Sequence, residues 1–253
     1  MHRFYLPPSQ TQDNPLTLCQ AEAHHALHVL RVRERERAVV LDGAGHELLC
    51  EVRQLGKETV TLEVVQKQRI PPLPYRITLA QAVTKSKTMD LIVQKATELG
   101  VHRLIPIMSE RSVSQIEEDA VAGKLEKWRS TTIEAMKQCG SPWLPQIEAP
   151  QTAQKFLSEH ERFELALVAS LQPNAKHPRE HFLNFAMEQQ RLPQSVCVWV
   201  GPEGDFTPAE MNAIRQSGAL TITLGPLILR SETAAIYCLS VLNYELQAPA
   251  KRS

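Results

Sequence analysis

Val196-Cys-Val-Trp-Val200 runs into Gly201-Pro-Glu-Gly-Asp-Phe206, and Leu220-Thr-Ile-Thr-Leu224 runs into Gly225-Pro-Leu-Ile-Leu-Arg-Ser-Glu-Thr233. Each is a short apolar or β-branched run, the pattern of a strand buried in a sheet, and each breaks at a Gly-Pro pair. A helix signal follows both. Thr207-Pro-Ala-Glu210 places threonine at an N-cap, proline at the first helical position and glutamate at the capping-box position. The second loop leads into a helix expected to begin near 231–233 and to end at about Leu246. Strand, sharp turn, helix, repeated, is the grammar of a parallel sheet covered by helices, and in such sheets ligands gather beyond the carboxyl ends of the strands.

Upstream the same alternation holds. Strands are expected at 77–83, 103–107 and 164–169, which with the two above makes five for one sheet. Met89, Ile92, Val93, Ala96 and Leu99 fall at helical spacing and Gly100 follows where a left-handed cap would sit; a helix over 124–139 repeats this and ends at Gly140. Pro71-Pro-Leu-Pro74 forbids helix and resists a central strand. The expected organisation is therefore a small β-rich domain over residues 1–70, a proline-rich linker over 71–75, and an α/β domain over 76–253. Within the first, 38–42 and 46–52 read as strands joined by a tight turn at Gly43-Ala-Gly45, and 59–65 adds a third.

Composition narrows the function. In 253 residues, 28 Lys and Arg balance 28 Asp and Glu, so nucleic-acid binding must come from local patches rather than a whole-chain field. The one concentrated basic feature is Arg31, Arg33, Arg35 and Arg37, with His24, His25 and His28 just upstream; it reads either as a phosphate-binding stripe or as a solvated alternating face, since Glu34 and Glu36 interrupt it. His24 and His28 at i, i+4 lack a third ligand nearby, so no metal is expected. The five cysteines are scattered without a C-x-x-C pair and are expected to be small buried residues; Trp128 and Trp143 are expected in core or dimer packing. No signal-like or membrane-spanning apolar run is visible, which points to a cytoplasmic protein without membrane contact. Neither Gly-Pro loop fits the dinucleotide or P-loop fingerprint, which counts against a dehydrogenase or a nucleoside-triphosphate enzyme.

Trp199-Val-Gly-Pro-Glu-Gly-Asp205 followed by Leu224-Gly-Pro-Leu-Ile-Leu-Arg-Ser-Glu-Thr-Ala234, with Lys95-Ala-Thr-Glu-Leu-Gly100 and Ile107-Met-Ser-Glu-Arg111 upstream, resembles the RsmE-type 16S rRNA uridine-N3 methyltransferases of the SPOUT superfamily. The Arg3-Phe-Tyr5 opening and the segment through Val29-Leu-Arg31 resemble that family's PUA-like barrel. The resemblance implies an α/β fold whose parallel sheet, with helices on both faces, carries a trefoil knot, preceded by the PUA-like domain. It also implies a homodimer, S-adenosylmethionine as cofactor, and 16S rRNA of the 30S subunit as substrate. The cofactor site carried over by motif comprises Ser170, Leu171, Gly201, Glu203, Gly204, Leu224, Gly225, Leu229, Arg230, Ser231, Glu232 and Thr233. Three departures stand out: the family pattern has glycine where Asp205 stands, arginine where Leu227 stands, and a basic residue where Ser141 stands.

For the chemistry, Arg230 is expected to stabilise charge on the uracil oxygens or to grip a phosphate, with an intersubunit ion pair as the alternative. Glu203 and Glu232 are the candidate proton acceptors, and Glu232 reads equally as a carboxylate favoured at a helix N-terminus. Arg3, His25, Arg31 and Arg33 are the expected RNA contacts. Two other readings stay open: a SPOUT enzyme with a ribose 2′-hydroxyl or tRNA base as acceptor, and a non-catalytic RNA-binding factor in ribosome assembly.

Overall fold

Residues 1–112, 116–159, 161–172 and 174–247 are described by a computed structural model. The chain divides into two units: the first holds 1–72 together with 133–144, the second 73–132 and 145–253. The last six residues of the expected second domain, 248–253, lie outside the described residues.

In the first unit five strands, β1 (His2–Tyr5), β2 (Leu16–Leu18), β3 (Arg37–Leu41), β4 (His46–Leu55) and β5 (Val60–Arg69), form a sheet in the order β1-β3-β4-β5-β2. Pairing is antiparallel except between β1 and β3. The expected hairpin is present. Asp42, almost fully buried, holds its turn by accepting from the Ala44 and His46 amides at 2.8 and 2.9 Å and from the His46 ring at 2.7 Å. Short α1 (Gln20–His24) passes into a π-helical turn (His25–Leu30), and Phe4, Leu18, Ala23, Ala26, Val40, Leu48 and Leu62 share one core.

The second unit is built on β6 (Arg76–Ala82), β7 (Arg103–Ile107), β8 (Gln146–Ile147), β9 (Leu165–Ala169), β10 (Ser195–Val200) and β11 (Leu220–Ile222), all parallel, in the order β11-β9-β10-β6-β7-β8. The six-stranded sheet exceeds the expected five by β8, whose two residues carry too little pattern to be read. The strand expected to reach Leu224 stops at Ile222 because Thr223 turns the chain, its hydroxyl accepting from the Gly225 amide at 3.2 Å.

Alternate residues divide two cores. Ile77, Leu79, Leu104, Leu167, Val196 and Val198 face one way, against α2 (Ser86–Glu98), α3 (Glu118–Cys139), α5 (Pro178–Gln189) and α7 (Ser231–Leu246). Ala80, Ile105, Val168, Cys197 and Trp199 face the other, against α4 (Ala153–Ser158) and α6 (Pro208–Gln216). Burial on both faces is why these strands read as continuous apolar runs. α3 starts six residues before the expected 124, with Glu118 and Asp119 in its first turn, where negative charge is favoured. Gly100 and Gly140 both adopt positive φ after their helices, +71° and +80°.

The segment 133–144 groups with the first unit, unlike the expected division at the prolines. Its contacts explain this. Met136 packs on Val39 and Leu41, Lys137 pairs with Glu22 at 2.7 Å, Arg3 donates to the Lys137 and Gln138 carbonyls, and Trp143 donates to the Ile70 carbonyl at 3.1 Å. Trp143 lies so close under Gly45, φ +97°, that a Cβ there would meet the indole at 2.3 Å. Trp128 is a core residue of the second unit. The cysteine expectation holds for Cys50, Cys197 and Cys238 only: Cys19, just before α1, and Cys139, at the end of α3, are exposed. Burial pushes the Cys50 and Cys238 thiols up to about 12 and raises Cys197 as well.

Candidate active site

The carboxyl ends of β9, β10 and β11 release three loops, 170–172, 201–206 and 223–230, and together they line one cavity of about 250 Å³. The β10 loop is pinned on its sheet side. Phe206 is buried and packs edge-on against Trp199 with ring centroids 6.2 Å apart, and the Asp205 amide closes a turn onto the Pro202 carbonyl at 2.9 Å. At Gly201 a side chain would meet Asp205 and Phe206 at 3.3 Å.

Beyond the loop, the expected α6 start is present in full. Thr207 accepts from the Glu210 amide, and Glu210 accepts from the Thr207 amide at 2.9 Å. The same carboxylate also accepts from the Ser109 hydroxyl at 3.0 Å and the Glu110 amide at 3.1 Å, while Arg111 donates to the Gly204 carbonyl at 2.8 Å. The Ile107–Arg111 stretch thus clamps the β10 loop from outside.

The two Gly-Pro loops meet through one hydroxyl. Ser231, buried at the start of α7, donates to the Gly201 carbonyl at 3.0 Å and accepts from the Gln81 side-chain amide at 2.9 Å. Gln81 sits fully buried in β6; its Nε2 also donates to the Ala82 carbonyl, while its Oε1 has no partner among the described residues. Gly225 takes φ +104°, which L side chains rarely adopt.

Of the twelve residues expected around the cofactor, Ser170, Leu171, Gly201, Glu203, Leu224, Gly225, Leu229 and Ser231 line the cavity. Gly204, Arg230, Glu232 and Thr233 do not. Gly204 faces Arg111 instead; Arg230 is the exposed N-cap of α7, and Glu232 and Thr233 sit in that helix's first turn. The cavity also takes in Gln172, Asp205 and Thr223. Gln81, behind the lining, went unread, although a lone amide inside the buried run Leu79-Ala-Gln-Ala82 was a visible signal.

The family model of the RNA methyltransferase domain matches residues 71–243, and that of the RNA methyltransferase PUA domain matches residues 18–65. Ribosomal RNA small subunit methyltransferase E of Aquifex aeolicus (strain VF5) is 35% identical over 243 residues, covering 96% of this chain and 99% of its own length. The chain belongs to the ribosomal RNA small subunit methyltransferase E family. Among solved structures, a family member from Neisseria gonorrhoeae bound to S-adenosyl methionine shares 28% identity at a TM-score of 0.83, covering 96% of this chain and 97% of that one. A Legionella pneumophila protein in complex with the cofactor SAM shares 30% at a TM-score of 0.86, covering 96% of each chain.

Of the expected RNA contacts in the first unit of this methyltransferase-family chain, His25 lies on the π-helical turn, Arg31 and Arg33 follow it, and Arg3 lies in β1. Arg31, φ +53°, ends the turn and is exposed, as is Arg33; His25 is half-buried within it. The Glu36 carboxylate accepts from the Arg33 backbone amide at 3.0 Å and lies 3.4 Å from His2. Arg3 is already engaged with the carbonyls at the end of α3. The His24 and His28 rings lie 4.8 Å apart, and no group of three metal-ligating side chains occurs among the described residues.

Proposed function

We propose that the protein transfers a methyl group from S-adenosylmethionine, held in the cavity beyond β9, β10 and β11, to N3 of one specific uridine in the 16S rRNA of the small ribosomal subunit. The observation that carries this is the joining of both Gly-Pro loops over a single cavity by Ser231. The lining suits the cofactor: Leu171, Leu224 and Leu229 offer apolar surface for a purine, and the Glu203 and Asp205 carboxylates favour a cationic group. S-adenosylmethionine, when bound, supplies a methyl group on a sulfonium that is already a good leaving group.

The chain's own residues then have to position the base and manage one proton. Glu203, on the lining, or Glu232, in the first turn of α7, accepts the N3 proton directly or through water, worth ~10²–10⁴-fold. Arg230, the exposed N-cap of α7, stays charged and is able to fork onto the uracil oxygens that take up the negative charge. N3 lies on the pairing edge, so the target uridine is unpaired or extruded. The PUA-like unit holds the surrounding RNA through Arg31 and Arg33, with His25 and Arg3 at its margin.

The same reading includes a homodimer, supported by exposed Leu183, Met187 and Tyr244 on α5 and α7. It includes a knotted path near the site, supported by the insertion of β10 between β9 and β6 out of chain order. Action in the cytoplasm fits the finding that no described helix is long and apolar enough to cross a membrane.

The test is nucleoside mass spectrometry and primer extension on 16S rRNA from a strain lacking the gene. Loss of one N3-methyluridine, restored by the wild-type gene, is expected. Loss of a ribose or tRNA methyl instead would overturn the acceptor, and a protein that shows no heat with S-adenosylhomocysteine would overturn the enzyme reading.

A further inference from the structure

The cavity lining carries two carboxylates, Glu203 and Asp205, and among the described residues no Lys, Arg or His. Arg230 and Glu232 follow in sequence outside the lining and offset each other in charge. The nearest fixed charge on an occupant's surroundings is therefore negative.

Asp205 holds its place at φ +60°, in the left-handed region that aspartate and asparagine tolerate. Its Oδ1 accepts from the Phe206 amide at 2.8 Å, and its own amide donates to the Pro202 carbonyl. An asparagine would keep all of this through its own Oδ1. These contacts use a side-chain oxygen and not the charge, and the residue lines the cavity.

We infer that Asp205 is a specificity determinant that makes the cavity prefer the sulfonium-bearing methyl donor over its uncharged thioether product. This rests on reading the cavity as the S-adenosylmethionine site. Donor and product share the adenosine and the amino-acid tail, so contacts to those parts bind both equally. They differ by one methyl group and one positive charge. A fixed carboxylate is among the few features that discriminates on the second, and it favours release of the spent molecule once the charge is gone. Because Asp205 is half-buried, the preference is moderate and weakens with salt.

The experiment is calorimetric titration of the full chain with S-adenosylmethionine and S-adenosylhomocysteine, at low and high salt, for wild type, Asp205→Asn and Asp205→Gly. Asp205→Asn should weaken the donor by about 3–10-fold at low salt. It should leave the product within about 2-fold, so the ratio of the two affinities falls, and the change should shrink at high salt. Asp205→Gly, which relieves the positive φ but gives up the Oδ1 contact to the Phe206 amide, should lower the ratio equally. An unchanged ratio, or equal weakening of both ligands, overturns the inference and leaves Asp205 a turn residue. If wild type binds neither molecule, the reading of the cavity itself fails and the inference with it, a result distinct from an unchanged ratio.

Discussion

Between Gln81 and Gly201 one hydroxyl makes both contacts, and its removal leaves a carbonyl and a buried amide short of a partner. Ser231→Ala should therefore cost about 1–2 kcal/mol in thermal or denaturant unfolding and weaken S-adenosylhomocysteine binding in calorimetry. Arg230 has the opposite profile: it is exposed, and its guanidinium has no hydrogen-bond partner among the described residues. Arg230→Ala should abolish methylation in a tritium-transfer assay while unfolding at the wild-type temperature; wild-type turnover would remove it from the mechanism. The sequence made the loop residues legible because glycine and proline advertise their backbone needs. It marked Gln81 only as an amide within an apolar run and not by its partner, because that role depends on α7 returning some 150 positions later to lie against β6.

Helix starts and strand ends obey local rules, so the elements around the site were the most readable part of the chain. The capping box at Thr207 is the clearest case, and Thr207→Ala should cost about 1 kcal/mol by chemical unfolding. What local rules could not show is the second use of Glu210, which also accepts from Ser109 and Glu110 on another loop. Nor could they show β1 and β2, short strands of the first unit whose partners lie tens of residues away.

Just before β9, Glu164 accepts from Arg191 and from the Gln194 amide, both on the segment between α5 and β10, which holds its carboxyl well below the ordinary 4.5, at about 2. A carboxylate with a lowered folded value stabilises fully above its unfolded value, and that contribution fades as pH falls from about 4.5 toward 2. With its side chain 30% exposed, the contribution stays below about 1 kcal/mol. Glu164→Gln should lose less stability than wild type across that interval in acid unfolding followed by circular dichroism.

At the scale of the molecule, charge is balanced overall, so RNA affinity has to come from patches. Replacing Arg31 and Arg33 together with alanine should weaken RNA binding and reduce the slope of log affinity against log salt by up to about 2, leaving cofactor binding unchanged. A slope identical to wild type would discard the patch. Fold class and the two sheet systems were legible because hydrophobic period changes at Pro71–Pro74. The assignment of 133–144 was not, since nothing in a helix's own sequence says which unit its final turns will serve.

That assignment bears on how the chain comes into being. A nascent polypeptide emerges from its amino end, yet the module that emerges first lacks Met136, Lys137 and Trp143 until 64 to 71 residues beyond Pro72 have been translated. Until then Glu22, Val39 and Leu41 wait without their partners. The proline run marks a seam in composition but not a point where synthesis could pause with a finished module behind it, and a fragment cut there would present the same open flank.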